Sequence, residues 1–232
     1  YLLYNILEMS ELTLLIPANK EAESLPIFLK ELEIYNYKKL VVLQSEDKET
    51  IDSISNFNDV KICVQEKRGY GRALIEGIEK IETQFFCIIN ADGSMNPKYL
   101  EEMLRLCKSK DFVFASRYLK GGGSDDDNLI TLIGNKIFSL IGNIFFKLNL
   151  SDILYTYILG KTTSAKKLSL QYSDFRICVE IPILAKFNNY QFVSTPSMER
   201  KRIGGKKKVN AFKDGFLILT AMITLFFKDK IN

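Results

Sequence analysis

The chain has 232 residues, 47% apolar and 26% charged, a balance that suits a folded globular protein rather than a disordered one. Thirty-two Lys+Arg against 28 Asp+Glu leave a net charge of +4, too mild to imply a nucleic-acid partner. There is no histidine, which excludes a Ser-His-Asp triad, a Cys-His pair, His-ligated zinc and imidazole acid–base chemistry.

In chain order, Leu12–Ile16 is an apolar run stopped by Pro17 and predicts a strand. Leu25, Phe28, Leu29 and Leu32 share one face of a helix predicted over Glu21–Leu32. Leu40–Leu43 predicts a second strand, Glu49–Ile54 a short helix and Val60–Val64 a third strand. Gly71–Ile81 is helical by its Ala73, Leu74, Ile78 and Ile81 spacing, and Phe85–Ile89 is a fourth strand. Pro97 suits the first turn of the helix that continues through Tyr99–Leu106, and Phe112–Ala115 is a fifth strand. Such alternation predicts an α/β fold: a mostly parallel central sheet with helices on both faces and ligands at the strands' carboxyl ends.

The second half loses the alternation. Leu129–Leu150 reads as a long apolar helix pair, Phe192–Thr195 as a short strand, Arg200–Lys208 as a basic turn and Gly215–Phe227 as a terminal amphipathic helix. No run reaches the roughly 18–20 uncharged apolar residues of a membrane span. The two apolar helices are expected to lie on a membrane, pack in the core or make a homo-oligomer contact. Four cysteines without CxxC spacing argue against a disulfide framework. No signal-type segment is visible at the N-terminus. The expected location is therefore cytoplasmic, peripheral on the inner face of the cell membrane. One domain is expected over 1–232, the alternating half at 12–128 and a C-terminal elaboration at 129–232.

Four segments can carry chemistry. Asn90-Ala91-Asp92-Gly93-Ser94 follows a buried strand, so Asp92 could hold a hard cation; the same residues also make an ordinary Asx turn. Lys67–Leu74 puts Gly69 and Gly71 at a helix N-terminus, where a backbone can approach an anion. Ser116-Arg117-Tyr118 is followed by Gly121–Gly123, a mobile lid-like loop, and by Asp125–Asp127. Arg200–Lys208 has six basic residues around two glycines and could close over phosphates or meet anionic lipid.

Taken in order, these pieces resemble the family 2 glycosyltransferases of GT-A fold, and within them the dolichol-phosphate-mannose-synthase-like branch and its bacterial relatives. The resemblance runs over Pro17-Ala18-Asn19-Lys20-Glu21, Gly69–Leu74, Asn90-Ala91-Asp92 with Pro97, Ser116-Arg117-Tyr118 with Gly121-Gly122, and Gly134-Asn135-Lys136. It continues through Asp152, Tyr155, Thr156 and Tyr157, and ends on Glu180, Glu199, Arg202 and Gly205, with Lys207 where the family has serine. The chain departs from the pattern in Gln44-Ser45-Glu46-Asp47, where the family's nucleoside-binding aspartates are lost and Glu46 or Asp47 could substitute, and in Asn90.

The resemblance implies an inverting transfer from a nucleotide-diphosphate sugar to a polyprenyl phosphate or another lipid or cell-surface glycan. It implies Mg²⁺ or Mn²⁺ on Asp92, with Asn90 and Ser94 assisting. Pro17, Ala18, Asn19, Glu21, Gln44, Lys67, Gly71, Arg72, Asn90, Ala91 and Asp92 are then expected at the donor. Arg117, Asn135, Lys136, Tyr155, Tyr157, Glu180, Lys206 and Lys207 are expected at the acceptor. The expected catalytic set is Asp92, Arg117, Asp152 and Arg202. A phosphate acceptor needs no base; a hydroxyl acceptor would need Asp152 or Glu180. The competing reading is a catalytically degenerate nucleotide-sugar-binding or scaffold protein at the membrane.

Overall fold

The computed structural model describes residues 11–127, 129–204 and 211–229. Its strands are β1 (Leu12–Pro17), β2 (Lys38–Leu43), β3 (Val60–Val64), β4 (Phe85–Ile88), β5 (Phe112–Ser116), β6 (Gly123–Ser124), β7 (Ile158–Lys161), β8 (Phe192–Pro196) and β9 (Met198–Glu199). Its helices are α1 (Leu25–Leu32), α2 (Lys48–Ser53), α3 (Tyr70–Lys80), α4 (Leu100–Cys107), α5 (Leu129–Phe146), α6 (Thr162–Lys166), α7 (Ile177–Phe187) and α8 (Ala211–Asp229).

Seven strands form one sheet in the order β3-β2-β1-β4-β7-β5-β8. Only β7 runs antiparallel to its neighbours. β1 and β5 are buried along their whole length, which is why they read as unbroken apolar runs rather than alternating ones. One face of the sheet packs Leu15, Phe86 and Phe114 under α3, α5, α7 and α8. The other packs Leu14, Ile16 and Val113 under α1 and α4. Strand order reverses at β1 and β4, so the crevice for a ligand opens beyond their carboxyl ends.

The first half follows the expected elements with small shifts. The first helix begins at Leu25 rather than Glu21, because Pro26 suits only the opening turn. Pro97–Tyr99 is a single 3-10 turn ahead of α4.

The second half differs more. The expected helix pair is one helix, α5. It stops at Phe146; Lys147 and Asn149 then adopt positive φ, and the Asn143 amide side chain bonds both the N–H and the C=O of Leu150. The chain returns through 147–157 from the carboxyl edge, so β7 can enter between β4 and β5 only in the antiparallel sense. α7 carries Pro182 inside it, which hid it in the sequence. The glycine-rich loop is not a free lid: Gly123 and Ser124 pair with Met198 and Glu199 as β6 and β9. α5 is long and apolar enough to cross a membrane by length and composition, against the expectation that no run would be.

Candidate active site

A cleft of about 360 Å³ lies at the carboxyl ends of β1, β4 and β5. Pro17 ends β1 on its wall, Ala18, Asn19 and Glu21 follow, and Gln44 follows β2. Asn90, Ala91, Asp92 and Ser94 follow β4, and Arg117 follows β5. Asn135, Tyr155 and Arg202 complete the expected residues that the structure brings together there.

The turn after β4 is both of the things its residue types allow. Asp92 Oδ1 accepts the Ser94 N–H at 3.0 Å and its hydroxyl at 2.7 Å, an Asx turn that holds the carboxylate still. Asp92 Oδ2 lies 3.8 Å from Arg202 Nη1. The Ile203 N–H donates to Asp92 O and the Arg200 N–H to Ser94 O, strapping the basic segment across the turn. Arg200 itself clasps Glu31 and the Gly93 carbonyl, so of the described basic residues here Arg202 is the one on the cleft wall. Gly205, Lys206, Lys207 and Lys208 lie outside the described residues.

Arg117 is a buried hub. Its Nε and Nη2 bind Asp152 at 2.8 and 2.9 Å, and its Nη1 reaches Glu199 at 3.1 Å and Asp127 at 3.4 Å. Burial opposes its charge, but the hydrogen bonds and charge of Asp152, with Glu199, more than offset that and raise its pKa. Burial lifts the carboxyls of Asp152 and Glu199 above their ordinary values, with Arg117 pulling each the other way. A guanidinium so occupied is not a free phosphate clamp, and an Asp152 whose side chain is 0% exposed is not a solvent-facing base. What Arg117 does is present Asp127 and Glu199 along the cleft wall.

Other expected residues fall elsewhere. Glu180 accepts the N–H groups of Gln171 and Tyr172 and is not on the cleft wall. Tyr157 is fully buried and donates to Asn96 O, bracing the loop before α4. Lys136 is exposed on α5 while Asn135 turns inward to Tyr118 Oη. Glu46 pairs with Arg68 on the surface; Asp47 accepts from the Lys20 N–H and the Thr50 hydroxyl, so neither lines the cleft.

The glycine turn has a different purpose from the one expected. A Cβ on Gly71 would stand 2.3 Å from Tyr172 O, and one on Gly69, at φ +126°, would stand 2.1 Å from Ser173 O. The turn is pressed against the 172–174 backbone; Gly69 stays on the cleft wall and Gly71 does not reach it. Arg72 binds Glu76, whose carboxylate also accepts the Lys67 N–H; neither Lys67 nor Arg72 lines the cleft. Gly71→Ala should cost about 1–3 kcal/mol through that clash, read as a fall in Tm of roughly 2–12 °C.

The structure adds residues that local sequence did not mark. The Tyr70 hydroxyl donates to Asn90 Oδ1 at 3.2 Å and shares a 2.7 Å hydrogen bond with Thr156, while its ring stacks on Phe175 at 4.9 Å. Tyr70 lies between Gly69 and Gly71, and only those two glycines carried a signal in the sequence. Asp126 binds Arg202 on the cleft wall; it was legible only as part of an acidic run. Leu154, Phe175, Cys178 and Ile218 add apolar lining to the cleft from three separate parts of the chain.

The pattern of glycosyl transferase family 2 matches residues 13–169. The chain is a family 2 glycosyltransferase. The glycosyltransferase is 25% identical over 205 residues to an uncharacterised protein of Methanocaldococcus jannaschii, covering 83% of this chain and 82% of that one. It is 30% identical over 106 residues to an uncharacterised glycosyltransferase of Mycobacterium bovis, covering 45% and 48% of the two chains. Among solved structures it superposes on the glucosyl-3-phosphoglycerate synthase of Mycobacterium tuberculosis, in complex with Mn²⁺, UDP and glucosyl-3-phosphoglycerate. The TM-score is 0.69 at 10% identity, over 93% of this glycosyltransferase and 80% of that one. The shared architecture is the GT-A fold.

Proposed function

We propose that this glycosyltransferase moves a sugar, with inversion, from a nucleoside diphosphate sugar to a lipid phosphate such as a polyprenyl phosphate. It would work at the cytoplasmic face of a membrane. The observation that carries the reading is the cleft's polarity. Its lining combines a charged cluster, Asp92, Arg202 and Asp126, held together by ion pairs, with apolar side chains, Leu154, Phe175, Cys178 and Ile218, the last on α8. A phosphate group matches the first and a hydrocarbon chain the second.

The donor set suits a hard divalent cation. Asp92 offers one carboxylate oxygen on the cleft wall, and the Asn90 amide oxygen lies on the same turn. Mg²⁺ is commonly held by one or two carboxylates with substrate phosphates and water completing the shell. Mg²⁺ or Mn²⁺ held by Asp92 and Asn90, with Ser94 fixing the Asp92 rotamer, would supply charge neutralisation to the departing diphosphate. The chain's own residues do the rest. Arg202, released from Asp126, donates to the diphosphate oxygens as charge builds on them. Tyr70 holds the Asn90 amide in one orientation. The cleft's apolar lining excludes water that would otherwise hydrolyse the donor. A phosphate nucleophile is already anionic, so histidine is not required.

A hydroxyl acceptor is the second reading, favoured by one feature. Glu199 lines the cleft with its carboxyl raised by burial, and is better exposed to a substrate than Asp152. The test is a thermal-shift screen of UDP-, GDP-, CDP- and dTDP-sugars with and without Mn²⁺, followed by product analysis on polyprenyl phosphate and on sugar acceptors. A metal-dependent stabilisation by one nucleotide class, with glycosyl-lipid phosphate as product, is expected. Product only on a hydroxyl sugar would select the Glu199 reading. Arg202→Ala should lower kcat/KM by about 10²–10³-fold through lost leaving-group stabilisation.

A further inference from the structure

α5 is inside out for a helix in water. Its buried face is Asn135, Ser139, Gly142 and Phe146. Its exposed face is the stripe Ile130, Ile133, Ile137, Leu140 and Ile144, spaced three and four residues apart, with Ile130 61% and Ile144 61% exposed. Apart from the terminal Phe146, small and polar groups are turned in, and branched aliphatics are turned out. Ordinary amphipathic packing gives the reverse.

α8 lies beside it and runs the same way, with Gly215 near Phe138, Met222 near Gly142 and Phe226 on Phe145. It shows the same outward stripe: Phe212, Phe216, Leu219, Ile223 and Phe227, with Phe212 83% and Phe216 68% exposed. Twelve of the seventeen exposed large apolar side chains among the described residues are on these two helices, so the feature is local and not a general property of the surface. An apolar groove of about 180 Å³ opens between them, lined by Ile141, Phe145, Met222, Ile223 and Phe226.

The charge around the stripe identifies the occupant. α5 contains one charged residue, Lys136, and Lys147 follows it; α8 adds Lys213 and Lys228. Against these four lysines stand only Asp214 and Asp229, a surplus of two. A second copy docked on this face by a two-fold axis would bring lysines against lysines. A negatively charged surface with an apolar interior complements both features at once.

We propose that the α5–α8 face rests on an anionic lipid bilayer, with its isoleucine and phenylalanine stripes at the acyl boundary and its lysines among the headgroups. The face deepens the lipid-acceptor reading, because Thr131 and Asn135 of α5 and Ile218 of α8 also line the cleft. A lipid phosphate would reach the cleft between the two helices without leaving the membrane surface.

The test is flotation of the full chain with phosphatidylcholine vesicles, with and without about one third phosphatidylglycerol. The protein should float with the anionic vesicles, and its bound fraction should fall several-fold on phosphatidylcholine alone or at about 0.5 M salt. Ile137→Glu with Ile223→Glu should lower binding about tenfold or more, with an unchanged melt and unchanged turnover on a water-soluble short-chain prenyl phosphate. Should that pair fold poorly, Lys136→Glu with Lys147→Glu should abolish the preference for anionic vesicles. Equal flotation of the variants would overturn the proposal. So would a parent dimer that the variants split without any vesicle binding, or resistance to alkaline carbonate extraction, which marks a spanning helix. Vesicle binding without transfer to any lipid phosphate would remove the acceptor reading and leave the docking face. Transfer to the short-chain acceptor without vesicle binding would do the reverse.

Discussion

Asp92→Asn should lower kcat/KM for sugar transfer by about 10³-fold while leaving the fold intact. The substitution is chosen for its geometry. The Oδ1 of an amide still accepts from the Ser94 N–H and hydroxyl, so the turn that seats the β4 loop survives. What is lost is the negative charge beside Arg202, on the wall where a cation and a diphosphate would meet. Initial rates across a Mn²⁺ titration, with a melt of the same preparation, check both halves. Wild-type rates in a folded variant would remove the metal role of Asp92. A lost rate with a Tm shifted by many degrees would show that the turn, and not the charge, had failed.

Arg117→Met should cost about 3–5 kcal/mol, because it leaves Asp152 buried without its bidentate partner. At this chain length that corresponds to a fall in Tm of roughly 6–20 °C. The pH dependence has a definite sign. Burial already raises the Asp152 and Glu199 carboxyls, and without Arg117 they rise further. A carboxyl whose folded pKa exceeds its unfolded value contributes stability that is present below the unfolded pKa and lost as pH rises through the folded one. The variant should therefore recover part of its loss on going from about pH 7 to about pH 5, as Asp152 takes up a proton. Arg117→Met with Asp152→Leu should recover part of the loss at neutral pH, since the fully buried Asp152 carboxylate is gone while Glu199 and Asp127 keep theirs. Calorimetric melts of the three proteins at both pH values decide it. A single variant as stable as the parent would mean that Asp152 is solvated by some other route.

The parallel half of the sheet was legible because both of its faces are buried. Leu12–Pro17 and Phe112–Ser116 are apolar without interruption, and each is followed by a polar loop. β7 was not legible. Ile158–Lys161 is four residues long, carries Gly160 and takes its direction from where 147–157 delivers the chain. α7 was masked by Pro182, whose missing N–H is tolerated within the buried helix. The β4 turn could be read from its own residues because Asp92 and Ser94 satisfy each other two positions apart. The partners of Arg117 could not, since Asp152 and Glu199 are 35 and 82 residues away.

The sequence by itself determined the sheet-and-helix order of the first half, the carboxylate after β4, chemistry without imidazole and the family to which the chain belongs. These rest on local period, turn chemistry and composition. Only the tertiary structure decided which charged groups remain available to a ligand. Asp92, Arg202 and Asp126 pair with one another on the cleft wall, Arg117 reaches that wall already taken up by Asp152 and Glu199, and Asp152, Arg72 and Glu180 are held by partners away from it. It also decided which side of α5 meets the domain. The hydropathy of Leu129–Phe146 does not distinguish the two sides; the packing of Asn135, Ser139 and Gly142 against the domain does, and it turns the isoleucines outward. The physical reason is the same in both cases. A side chain's chemistry is set by what surrounds it, and in this fold most of those surroundings come from distant parts of the chain.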